Sequence, residues 1–244
     1  MPSTRFLLVT FVAACAAVAQ SAAPDAALAR YQAALEHNDA ALNCRNVAMD
    51  IEASLPRAAK QGRIYAIRHL IFGKSHYEVL RAEGDPMVRR QVIARYLAAQ
   101  VQSEGIASAT VAVTSANYRI RYVSSFGAGS NLSFVYSIKP RHKRVGLIDG
   151  ELWIDAGSGL PTHQSGRLVK NPSAFLRRVI VTQDTDYRSG IPDRRFTRLD
   201  IETRLVGPAQ ITVVERPCAP TVTSVLAISE APSGEDHDQA CNAN

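Results

Sequence analysis

Between residues 118 and 216 one pattern recurs: apolar and polar side chains exchange places at every step, and short turns interrupt the runs. The stretch "NYRIRYV" puts Tyr118, Ile120 and Tyr122 on one face and Arg119 and Arg121 on the other. "NLSFVYSIK" alternates Leu132, Phe134, Tyr136 and Ile138 in the same way. "GLIDGELWIDAGSGLPTHQSGRLVK", residues 146–170, reads as a strand, a Gly-rich turn and a returning strand. "FLRRVIVTQD", "RFTRLDIETRL" and "AQITVVERP" continue the series. A two-residue period is the signature of a half-buried strand. The turns, at Gly127-Ala128-Gly129, Asp155 to Gly159, Gly190 and Gly207-Pro208, are too short for parallel crossovers. The expectation is an antiparallel meander.

The first half supplies the helices. "DAALARYQAALEHNDAAL" recurs with Leu28, Tyr31, Leu35 and Leu42 on one helical face. "NVAMDIEASLP", "RIYAIRHLIF" and "SHYEVLRAE" read as three further strands. A second helix then has a marked start, with Asp85 as N-cap and Pro86 at the first helical position. Val88, Val92, Tyr96 and Leu97 form its stripe, and Gly105 stops it. About nine strands and two early helices make an α+β domain. A sheet that wide must curl. The predicted architecture is therefore a curved antiparallel β-sheet forming an incomplete, half-open barrel, with two helices covering the concave side, over residues 24–217.

The termini set the compartment. Arg5, the apolar run "FLLVTFVAACAAVA" and Ala17-Val18-Ala19 have the anatomy of a secretory signal over residues 1–19. "VAAC" at Val12 to Cys15 has the shape of a lipobox, the alternative, in which Cys15 becomes a lipidated first residue. The expected location is the periplasm, free or anchored to the outer membrane. Beyond Pro217 the composition turns to Pro, Ser, Ala and acid, so residues 218–244 read as a mobile acidic tail. Without Cys15, Cys44, Cys218 and Cys241 remain. A Cys218–Cys241 bridge would loop the tail back, and a Cys44–Cys218 bridge would staple the sheet's start to its end. Unpaired thiols are the third alternative.

The charge is uneven. Removing Arg5 and the four tail acids from 28 basic and 22 acidic residues leaves 27 and 18, a net +9 on the body. Behind a signal segment that excess points to an anionic membrane surface or an acidic envelope partner, not to nucleic acid. The sharpest cluster is "KPRHKR", Lys139 to Arg144, between two strands. Arg141, Lys143 and Arg144, with Arg177 and Arg178, are the predicted basic rim. The alternative is a set of solvated loops.

Catalytic signatures are missing. The chain has no G-x-S-x-G, H-E-x-x-H or C-x-x-C, and no phosphate-binding glycine loop. The six histidines are scattered, and His69 and His76 straddle a turn. "DTDYRSG" at Asp184 to Gly190 fails as a calcium loop, because Arg188 and Ser189 stand where a ligand and a glycine belong. Asp50 with Glu52, and Asp200 with Glu202, alternate with apolar neighbours as a solvated sheet face does. No catalytic residue, metal site or cofactor is expected. The positive signal is apolar: Phe134, Tyr136, Ile138, Leu152, Ile154 and Phe175 are the predicted lining of a lipid cavity.

These residues also carry a resemblance. A strand ending Lys139-Pro140, a hairpin into Gly150 to Asp155, then Gly166-Arg167, Lys170 to Ser173 and Arg204 to Gly207 make up its rhythm. That rhythm is similar to bacterial envelope proteins of the lipoprotein-carrier (LolA/LolB-like) fold, in particular their outer-membrane lipoprotein-sorting relatives. The resemblance covers about residues 118–216. It implies an incomplete barrel lidded by helices, whose cavity holds acyl chains, and no catalytic residue. It also implies a range of partners, since relatives of this fold act as envelope-stress sensors.

The expected function is a non-catalytic envelope protein holding a lipid or lipoprotein acyl chain. The alternative is an interaction or sensor module of an envelope complex, with a filled cavity and a basic rim facing a protein partner.

Overall fold

In the computed structural model the described residues are 23–43, 46–71, 74–173, 175–204 and 207–218, and the side chains of 36–43 are not among them. The signal segment with Cys15, Cys44, Cys241 and the rest of the acidic tail lie outside the described residues. Among the described residues ten strands form one sheet: β1 (Val47–Leu55), β2 (Lys60–Ile71), β3 (Lys74–Gly84), β4 (Tyr118–Phe126), β5 (Ser133–Pro140), β6 (Ile148–Asp155), β7 (Pro161–Leu168), β8 (Leu176–Arg188), β9 (Ile191–Thr203) and β10 (Pro208–Pro217). Their order is β3-β2-β1-β10-β9-β8-β7-β6-β5-β4, antiparallel throughout, with β3 and β4 as unjoined edges. The sheet is therefore open, an incomplete barrel.

One rung can be followed across all ten strands: Ile120, Ile138, Gly150, Gly166, Val181, Leu199, Ile211, Ala53, Gly62 and Gly84. It defines the inner face, because residues in register share a side of the sheet. Gly150 and Gly166 face each other on it. A Cβ at Gly150 would run into the Ser165 carbonyl oxygen and the Gly166 Cα, so only glycine permits this backbone approach.

Two helices cover the inner face, and each builds its own core. Helix α1 (Pro24–Asn43) lays Ala27 and Tyr31 onto Tyr118, Phe134, Tyr136, Ile138, Leu152 and Ile154. At the other end of the sheet Pro86–Val88, Arg89–Ile93 and Ala94–Ser103 run on as a single helix, α2. Its central stretch is a π turn. The wider i→i+5 bonding brings residues five apart towards one line, so Val88 and Ile93 are both fully buried against Ile51, Ala53, Ile64, Ile211 and Val213. Val92, Tyr96 and Leu97 pack around them. The start of α2 is fixed as its sequence suggests. Asp85 Oδ1 accepts from the backbone N–H of Met87 at 2.8 Å and of Val88 at 3.3 Å, and Lys60 Nζ sits 3.1 Å from Oδ2.

Candidate functional site: an outer cationic cleft and an inner cavity

The predicted lipid lining divides. Phe134, Tyr136, Ile138, Leu152 and Ile154 are each at most 5 % exposed and belong to the core beneath α1, with Leu152 also reaching a neighbouring cavity. Phe175 stands apart at 63 % exposure. In a regular strand it would share parity with the buried Val179. A register shift between Leu176 and Arg178 inserts one residue and resets the alternation.

Between the two cores the inner face turns polar. A cavity of about 330 Å³ lies between α1, the 108–113 segment and β6 to β9. One wall is apolar, with Tyr31, Leu35, Val111, Val113 and Leu152, and the other carries Gln164, Gln183, Thr185, Tyr187 and Arg195. Arg195 Nε is buried without a hydrogen-bond partner among the described residues. Its Nη1 lies 3.8 Å from Glu215 Oε2, whose other oxygen lies 3.6 Å from Arg68 Nη1. Burial pushes Tyr96 well above the usual tyrosine value, with Glu215 adding to the shift. Burial likewise pushes Tyr187 up to about 12, and its hydroxyl donates to the Pro161 carbonyl at 3.1 Å.

The basic rim takes a more definite form on the outer face. A cleft of about 480 Å³ is lined by Arg119, Lys139, Lys143, Arg167, Arg177 and Arg178, with Asp149 as its one carboxylate. Arg119 pairs in register with Lys139, and Asp149 with Arg167, on the parity opposite to the inner rung. Arg177 and Arg178 are sequence neighbours that a regular strand would aim to opposite sides. Both reach the cleft because the bulge falls between Leu176 and Arg178. Asn171 Nδ2 donates to the carbonyls of Leu176 and Arg177 at 2.9 and 3.1 Å and holds that corner. Arg141 and Arg144 do not line the cleft. Arg141 Nε instead donates to the carbonyls of Ser115 and Tyr118, at 2.8 and 3.2 Å.

Sequence reasoning found Lys143, Arg177 and Arg178 of this cleft and missed Arg119, Lys139 and Arg167 as members. Their signal was the outward parity of charged residues within otherwise apolar strands, which becomes a cluster only once the register is known.

The remaining candidates are quiet. Asp50 accepts from Arg63 Nε at 2.7 Å, and Asp200 is held by Arg198 and Gln210. His163 Nδ1 lies 2.6 Å from Asp184 Oδ1, its ring 5.0 Å from that of Trp153. Trp153 also meets Phe126 at 5.2 Å and covers the buried outer-face Val135, its partner in register. Among the described residues no three His, Cys, Asp or Glu side chains gather as a metal site. Cys218 is half-buried, and both of its candidate partners lie outside the described residues.

No protein-family model and no curated protein sequence matches the chain. Solved structures similar to it include a LolA superfamily protein from Nitrosomonas europaea, 13% identical over 76% of this chain and 90% of that one, with a TM-score of 0.35. MucB is similar at 14% identity over 78% and 94% of the two chains, with a TM-score of 0.28. A complex structure of Pseudomonas aeruginosa MucA/MucB matches at 14% identity over 77% and 94%, with a TM-score of 0.26. The likeness is one of fold alone.

Proposed function

We propose that this protein is a non-catalytic binding module of the cell envelope, working in the periplasm, whose sheet is a scaffold and whose outer cleft engages an anionic partner. One observation carries the reading. Six cations line one cleft against a single carboxylate, and none of the six forms an ion pair among the described residues. Some arginines elsewhere are paired, as Arg63 is with Asp50 and Arg188 with Asp193, but here six cations share one concavity without a partner carboxylate bound to any of them among the described residues. Unpaired like charges in one concavity repel each other and favour whatever brings negative charge. The inner face supports the same reading, because each helix packs apolar residues onto a core of its own and the cavity left between them is walled on one side by polar side chains.

The test is in-cell photocrosslinking from position 139 of the full chain. A discrete adduct that disappears in R119E/R167E supports the proposal. Adducts no stronger than those from Asp193, on the β8–β9 hairpin, would sink it.

A second reading keeps the acyl chain. The mixed cavity with its unpartnered Arg195 Nε suits an amphiphile whose oxygen-bearing head meets that donor and whose tail lies against Leu35 and Val113. Native mass spectrometry of periplasmic protein would then detect a bound acyl species, absent after Gln183→Trp fills the cavity. A clean unliganded mass removes this reading.

A further inference from the structure

We infer that the outer cleft is a site for a compact anion carrying two or more phosphate groups. The inference rests on the cleft being the working surface and names the chemistry it takes.

Charge density in the cleft favours phosphate. The lining carries six cations and one carboxylate around about 480 Å³, and the cations come from β4, β5, the loop after β5, β7 and β8. They surround a concavity; they do not follow a line. A linear acidic segment meets basic residues one after another and gains little from convergence. A phosphate gathers about −1.5 to −2 charges and three acceptor oxygens on one centre, so two or three such groups match the excess. Four of the six cations are arginines, whose planar forks bind phosphate oxygens in pairs.

The bulge at Leu176/Arg178 points the same way. It aims two consecutive arginines into the same cleft, and Asn171 ties the backbone that presents them. An ordinary solvated face has no need of either feature. Pro140, Leu168 and Val169 supply the apolar part of the lining, and His142 completes it as a further nitrogen donor.

Titration calorimetry on the full chain tests this with inorganic tripolyphosphate and, separately, an octaglutamate peptide. Tripolyphosphate should bind with one-to-one stoichiometry and weaken as salt rises. R177Q/R178Q should weaken it about tenfold or more, while R188Q/R194Q, an equal charge loss at the far hairpin, should leave it unchanged. Vesicles of phosphatidylcholine with phosphatidic acid separate the sources. Recruitment that tripolyphosphate competes away marks a lipid headgroup, and soluble binding without recruitment marks a soluble phosphate ester. Octaglutamate binding through the same arginines, with tripolyphosphate inert, overturns the phosphate inference and leaves the anionic-partner reading standing. Saturable binding of neither probe overturns both.

Discussion

The Tyr136 hydroxyl donates a 2.6 Å hydrogen bond to the carbonyl oxygen of Pro24, tying the sheet to the first residue of α1 across 112 positions of sequence. The ring of Tyr136 is otherwise buried, so this bond is the polar pin of an apolar lid. Tyr136→Phe keeps the packing and removes the pin. It should cost about 1 kcal/mol, lower Tm by about 2–4 °C, and speed amide exchange in α1 more than in α2. Equal acceleration in both helices would mean that the bond does not act locally.

The same hydroxyl gives the fold an alkaline limit. Burial raises Tyr136 to about 12, and burial raises Tyr187 to about 12 as well. A group whose folded value is raised contributes stability that is whole below its unfolded value and is lost as pH climbs through the folded one. The loss should therefore fall between pH 10 and about 12. Phenolate absorbance should show a late-ionising fraction that merges with the rest on denaturation.

Gly150→Ala tests the glycine pair on the inner rung. The new methyl meets backbone on the neighbouring strand, which has no rotamer to yield, and should cost about 2–3 kcal/mol. At Gly157 a Cβ meets only the Asp155 carboxylate, at an ordinary 3.5 Å. Gly157→Ala should be nearly neutral in chemical denaturation, which makes it the control.

Glu215 lies on the inner face between Arg68 and Arg195, its side chain 14% exposed. Glu215→Gln keeps the volume and leaves two half-buried guanidiniums facing each other. The expected loss is about 2 kcal/mol, below that of a fully buried pair because both arginines still reach water. The double variant E215Q/R195M should recover part of it, and no recovery would show that the charges are not coupled.

Most strands were legible because their alternation is local; β7, from Pro161 to Leu168, does not alternate and was legible through the Gly-rich turn before it. Helix α2 was legible through Asp85 and Pro86. Its burial was legible in part, since Val88, Val92, Tyr96 and Leu97 do face the core and the π turn brings Ile93 inward beside them. The candidate site was half legible. Lys143, Arg177 and Arg178 advertise themselves in charge clusters, and Lys139 opens the cluster that holds Lys143, whereas Arg119 and Arg167 stand on separate strands away from it. What gathers them is strand pairing at long range, and what turns Arg177 and Phe175 from their expected sides is a single inserted residue. Neither leaves a periodic trace. Nor could alternation tell a cavity lining from a closed core, because Tyr136 and Ile138 look the same whether a guest or a helix lies above them.

Strand β10 carries a consequence of another kind. It lies between β1 and β9, and its Ala209, Ile211 and Val213 complete the core that β1, β2 and α2 begin. The core of the N-terminal half thus includes the last of the described strands. A chain interrupted before Pro208 has its N-terminal hairpins and a helix, but no floor for Ile51 and Ile93 to close upon. The N-terminal core is thereby closed by long-range pairing and not by the neighbouring hairpins alone.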